Sequence, residues 1–173
     1  MVAGQLHRHI SAVRLVRSYS SATVPALLRT AEYASGAGSR TAGQWARLAA
    51  LVEDESRSFV FVVAEGALRT WPDQVPMAAQ LARVIGLSDR PNVRLGVLPW
   101  GAVLPRFPLH DFTLAGDRAV WLETFTTEIT LTRAEDLAAY TQAFVAFEAA
   151  AVFGDQARAV IAGIAADLAR IRP

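Results

Sequence analysis

The chain has no cysteine and no lysine among its 173 residues. Without cysteine there is no disulfide framework, no thiolate metal site and no cysteine nucleophile. All 17 basic residues apart from histidine are therefore arginine. In a chain so rich in alanine, that reads as GC-rich coding bias rather than selection for bidentate anion recognition. Long apolar runs are missing too. No stretch approaches the roughly 18 uninterrupted apolar residues of a membrane span. Residues 1–20 lack the apolar segment of about 7–15 residues that marks a signal peptide. The expected location is cytoplasmic, with no membrane partner. A net charge of +1 offers no overall electrostatic footprint for nucleic acid. No H-E-x-x-H, P-loop or G-x-S-x-G is present, so the sequence calls for no metal and no cofactor.

What is present suits a packed core: 53% of the residues are apolar. We expect a single domain over residues 1–173, with residues 1–10 a loose tail. Val13 to Arg17 is short and half-alternating, which predicts an edge strand. Phe59 to Val63 is apolar on both parities and rich in β-branched and aromatic residues, as a strand covered on both faces would be. Val93, Leu95 and Val97 alternate. Phe112 and Leu114, a Gly116-Asp117 turn and Val120 to Glu123 predict a hairpin, followed by a short strand at Glu128 to Leu131.

Helical spacing falls between and after these strands. Pro25 suits a first helical position, with Gly36 as a stop. Thr41 is placed to cap a helix carrying Trp45, Leu48 and Val52, whereas Ser35 to Arg40 reads as a loop. Met77, Leu81, Val84 and Ile85 form a stripe closed by Gly86. Thr132-Arg133-Ala134-Glu135 has the form of a capping box ahead of Leu137, Tyr140, Phe144, Phe147 and Ala151. Gly154 ends that helix, Asp155 caps the next, and Val160, Ile161, Ile164, Leu168 and Ile171 continue the stripe. The expected class is α+β, a mostly antiparallel sheet of about five or six strands packed by helices, with a C-terminal helical hairpin.

Four phrases, taken in order, resemble a known family. They are Thr23-Val24-Pro25-Ala26-Leu27-Leu28-Arg29-Thr30-Ala31-Glu32-Tyr33-Ala34, then Phe61 to Arg69 ending Glu65-Gly66-Ala67-Leu68-Arg69. Gln80-Leu81 with Pro91-Asn92-Val93 and Val97-Leu98-Pro99 comes next, and Phe112-Thr113-Leu114 with Leu122-Glu123 last. Together they are similar to the uncharacterised effector-side domain (domain of unknown function 5753-like) of actinobacterial Xre-type helix-turn-helix regulators. The resemblance covers roughly residues 11 to 171. It implies that domain's fold and a role in sensing a signal or contacting a small partner protein. Ala26, Arg29 and Gly66 depart from the pattern. The short stretch ahead of the first phrase leaves no room for a DNA-reading domain, so a stand-alone version is expected.

The candidate chemistry is sparse. His7 and His9 read as solvated tail residues rather than a metal site. His110 sits beside Asp111 in a loop, but neighbours on extended chain point apart and make a poor pair. Glu65 follows directly on the most apolar strand, where burial would favour its neutral form and fit it for acid–base work; the alternative is a glutamate capping a short helix. Trp121 and Glu123 share one strand face, which is either a cavity wall or plain core with Glu123 paired to an arginine. Trp71 and Trp100 lie beside prolines and would either wall a pocket or plug the end of a core.

Two readings follow. One is a binding module for an apolar or amphiphilic small molecule or a small partner protein, with Trp71, Trp100, Trp121, Glu123 and Glu65 as ligand-binding residues and room for a homo-oligomer. The other is a cyclase- or isomerase-like enzyme of secondary metabolism acting on the same apolar pocket, with Glu65, Glu123 and His110 as its catalytic candidates. Specific DNA binding is expected of neither. A fluorescence-anisotropy titration of duplex DNA at moderate salt should show no saturable, sequence-dependent signal, and sub-micromolar affinity for one duplex would reverse that expectation.

Overall fold

Residues apolar on both parities belong in the middle of a sheet, and that is where Phe59 to Val63 lie. The computed structural model describes residues 3–36, 42–71 and 75–171. Its strands are β1 (Leu15–Ser20), β2 (Ser58–Ala64), β3 (Val93–Leu98), β4 (Phe112–Ala115), β5 (Ala119–Glu123), β6 (Glu128–Leu131) and β7 (Val152–Phe153). They form one sheet in the order β6-β5-β4-β1-β2-β3-β7. β1, β2 and β3 run parallel, while the other pairings (β1–β4, β4–β5, β5–β6 and β3–β7) are antiparallel. The α+β class and the mostly antiparallel pairing agree with the sequence reading. The additional strand is β7, too short to leave a period.

The helices are α1 (Ala3–Ser11), α2 (Ala31–Gly36), α3 (Ala42–Leu51), α4 (Glu65–Arg69), α5 (Met77–Ser88), α6 (Ala134–Ala150) and α7 (Gly154–Ile171), with a 3₁₀ turn at Ala26–Leu28. Parallel neighbours need crossovers, and the segments carrying α2–α3 and α4–α5 supply them. Two cores result, one on each face of the sheet. Phe59, Phe61 and Val63 face the first with Leu28, Leu48, Leu81 and Ile161. Val62 faces the second with Tyr19, Leu114, Phe144 and Phe147.

Several expectations are corrected. β1 lies in the middle of the sheet rather than at an edge. Its polar residues are accommodated there: Ser18 Oγ lies 3.1 Å from Thr113 Oγ1, and the Arg17 guanidinium lies 5.8 Å from the centre of the Phe144 ring. The stretch expected to be a loose tail is α1, whose Leu6 and Ile10 are fully buried one helical turn apart. The capping box does not form. α6 begins at Ala134 with no side-chain cap, and Glu135 pairs with Arg133 instead. α5 runs past Gly86 to Ser88. Thr41 lies outside the described residues, as do the remainder of the expected loop beyond Gly36 and the side chains of Trp45 and Ile171.

The largest correction concerns the C-terminal hairpin. α6 contributes Phe144 and Phe147 to one core, whereas α7 contributes Ala157, Ile161 and Ile164 to the other. Between them β7 pairs with the β3 edge, Gly96 opposite Phe153, and Gly154 turns the chain at φ 57°. The helices therefore straddle the sheet edge rather than pack as a pair. A glycine is needed at 96, because a Cβ there would lie 2.6 Å from the Phe153 ring. Phe144 is completely buried, so Phe144→Ala should cost about 3–5 kcal/mol in chemical denaturation. An unchanged midpoint would show that this side chain contributes nothing to the core.

Candidate functional site

Parallel strands bring their C-terminal ends to one side. Here the ends of β1, β2, β3 and β5 and the start of β4 meet, carrying loops 21–25, 99–111 and 124–127. Such an end is the usual place for a site in a sheet with parallel strands. Its centre is Asp111. The Oδ1 atom accepts hydrogen bonds from Ser21 N at 2.6 Å, Ser21 Oγ at 2.7 Å and Ala22 N at 3.4 Å, and Oδ2 accepts from Thr23 Oγ1 at 3.2 Å. The loop leaving β1 is thereby fastened to the residue that enters β4.

A second layer lies behind it. The Arg29 side chain is almost entirely buried. It donates from Nε to Val24 O at 2.7 Å and from Nη2 to Thr23 Oγ1 at 3.1 Å. Burial pulls its pKa down, and the nearby charges of Glu123, Tyr33 and Asp111 push it back up. Gln80, fully buried, accepts from Thr30 N and donates to Leu28 O, both at 2.8 Å. Tyr19 lies at the same end. Burial, then the Asp111 charge, push its phenol up to about 12. The Ser21 side chain beside it works against that rise.

Glu65 opens α4. Its carboxylate accepts from Arg69 Nε at 2.8 Å and from Trp100 N at 3.0 Å. Arg69 also holds Asp167 of α7 at 2.9 Å, and its guanidinium lies 5.9 Å from the Trp100 ring. Arg69 and then Arg170, both paired with Asp167, pull its carboxyl below its ordinary value. Glu65 and Trp100 are thus neighbours. Trp121 stands apart, buried in the first core on β5. Three strand intervals separate β5 from β2, roughly 14 Å. Glu123 is exposed at the end of β5, opposite Glu128 of β6. Burial, then the charge of Glu123, raise the Glu128 pKa. Trp71 is half-buried against the first core. His110 is exposed and lies 2.7 Å from Tyr140 Oη of α6, on the face opposite Glu123. The three catalytic candidates are therefore dispersed.

Loop 99–111 is long, but it is tied along its length. Trp100 N is held by Glu65, Arg106 by Gln142, His110 by Tyr140, and Asp111 by the loop after β1. Pro99, Pro105 and Pro108 fix φ at three further points. Its apolar side chains nevertheless point outward: Val103, Phe107 and Leu109 are 91%, 88% and 84% exposed and Trp100 is 70% exposed. Phe125, at the tip of the β5–β6 hairpin, is fully exposed at the same end. Trp100 is a residue the sequence points to, whereas Asp111 and Arg29 as anchors, and Val103, Phe107, Leu109 and Phe125, are not. The clustering of Trp100, Val103, Leu104, Phe107 and Leu109 between prolines was the available signal.

Residues 5–163 match the family described as Domain of unknown function (DUF5753), and the chain belongs to that family. A 42-residue stretch is 43% identical to the Subtilisin-chymotrypsin inhibitors CI-1B and CI-1C of Hordeum vulgare. That stretch is 24% of this chain and 51% and 54% of the two inhibitors, so the chain spans about half the length of these curated relatives. No solved structure matches. The four phrases that carry the family resemblance now have physical roles. The first supplies Thr23, Arg29 and Tyr33 to the loop after β1, the second Glu65 and Arg69, the third Gln80 and Asn92, and the fourth Thr113 opposite Ser18.

Asp111→Ala leaves two backbone N–H groups and two hydroxyls without their acceptor. It should cost about 2–3 kcal/mol, because hydrogen bonds to a charged group exceed the neutral kind. Amide exchange at Ser21 and Ala22 should quicken at the same time. Unchanged exchange at both would remove Asp111 from the anchoring role.

Proposed function

We propose that the domain is a protein-binding module whose recognition element is loop 99–111, with the Phe125 hairpin beside it. The observation that supports this most is the pairing of exposure with restraint. Large apolar side chains on a soluble surface mark interaction sites when they cluster. Aromatic anchors dominate binding energy at such sites, and a loop held before binding loses little entropy on binding. The expected apolar pocket has less support, since Trp121 lies in the core. The dispersal of Glu65, Glu123 and His110 likewise gives the enzyme reading no shared centre. A protein partner is the macromolecular form of the binding-module reading. The role as a regulator's effector-side domain belongs to the same proposal.

The likeness to inhibitors named for subtilisin and chymotrypsin suggests one class of partner, a protein with a cleft that receives an extended apolar loop. Wild-type chain and a Trp100→Ala, Phe107→Ser, Leu109→Ser variant serve as paired baits in a source-cell extract, and each retained protein is then purified and titrated. A partner bound by the wild type and weakened at least about tenfold by the triple change, at unchanged Tm, is the expected result. Equal binding by both chains overturns the loop assignment. Chymotrypsin and subtilisin are titrated in parallel. Tight inhibition without cleavage would identify the partner class as a serine protease, and rapid cleavage within the loop would remove proteases from consideration.

A further inference from the structure

At the opposite end of the sheet, the start of β1 and the β4–β5 turn border a recess of about 540 Å³ lined by Val13, Arg14, Leu15, Arg17, Asp117 and Arg118 among others. Its charge is lopsided: three guanidinium groups less one carboxylate leave +2. No ion pair holds Arg14, Arg17 or Arg118 among the described residues. Arg17 comes up from the middle of β1 with its guanidinium near the Phe144 ring, and its Nε is buried without a hydrogen-bond partner. A buried donor without an acceptor is uncommon, because the lost hydration is not replaced. The rim is shaped by the turn, where Gly116 takes φ 57° and donates from N to Leu15 O at 2.9 Å. Leu15, partly exposed, and Val13 make an apolar wall beside the arginines.

We propose that this recess binds a small organic phosphate, with its dianion between Arg17 and Arg118 and an apolar moiety against Leu15 and Val13. Guanidinium forks match the oxygens of a phosphate in pairs and keep their charge at every physiological pH. Two charges on the ligand offset the +2 of the site. The apolar wall separates such a ligand from inorganic phosphate, which would leave Leu15 in water. Asp117 on the rim repels an extended polyanion, so a soluble small molecule fits better than a nucleic-acid backbone or an anionic lipid surface.

Phenyl phosphate and inorganic phosphate are the probes, each titrated by calorimetry into the full chain at fixed ionic strength. Phenyl phosphate should saturate one site and bind at least about tenfold more tightly than inorganic phosphate, the difference that burying part of a ring supplies. Arg118→Ala should weaken phenyl phosphate by about tenfold or more with no change in Tm, because the side chain is exposed and carries only its charge to the ligand. Arg17→Gln should do the same, but its packing near Phe144 links it to stability, so Arg118→Ala decides. No saturable binding, or equal affinities for the two probes, overturns the proposal. So does an unaffected Arg118→Ala variant. Co-sedimentation with phosphatidic-acid vesicles in the absence of a phenyl phosphate response would assign the arginines to a lipid surface and overturn it equally.

Discussion

The carboxylate of Asp111 holds together what the chain separates most widely at this end of the fold. It joins the entry to β4 to the exit from β1, residues some 90 positions apart. Remove it, and the turn after β1 loses its acceptor while loop 99–111 loses one of its fixed ends. Thr23 extends the anchor inward, accepting a hydrogen bond from Arg29 and donating one to Asp111. A buried guanidinium is costly unless its donors are used. Here two of them close on Val24 O and Thr23 Oγ1, and the surrounding negative charge does the rest. The loops at this end are accordingly a continuation of the buried polar network, which is why a long connection can remain ordered while showing apolar side chains to solvent.

Much of the fold was legible because it follows periodicity. β2 declared itself by being apolar on both faces, the β4–β5 hairpin by its Gly116 turn, and α5, α6 and α7 by their stripes. What escaped was what depends on partners distant in sequence. Val13 to Arg17 reads as an edge because it is short and only half-alternating, yet the strand runs on to Ser20, Ser18 meets Thr113 across the strand pair and Arg17 lies near Phe144. α1 reads as a tail because Leu6 and Ile10 are scattered among histidine, arginine and glutamine. β7 vanished inside an apolar run that continues from one helix to the next.

The candidate site was less legible than the fold. Glu65 and Trp100 were both singled out, and the structure makes them neighbours through a backbone hydrogen bond that no spacing rule contains. Trp121 shares a strand face with Glu123, as parity requires, but parity cannot say that the face is covered. Asp111 was overlooked because its partners lie in the loop after β1 and not beside it. The family phrases proved informative in a different sense. Their residues are mostly clasps between elements, so resemblance at those positions speaks to how the loops are held rather than to what they hold.

The passage of the chain around the β3 edge has a consequence for how the molecule assembles. α6 and α7 are consecutive, yet each seals a different side of the sheet, with only Val152 and Phe153 between them as strand. β7 can pair only once the β3 edge it lies against has formed. The C-terminal helices therefore dock late, after contacts of high sequence separation have formed, which favours slow folding. Once docked, they couple the two hydrophobic layers mechanically, and loosening one helix strains the two-residue strap that positions the other. The layers should accordingly melt as one cooperative unit, although among the described residues no side chain belongs to both.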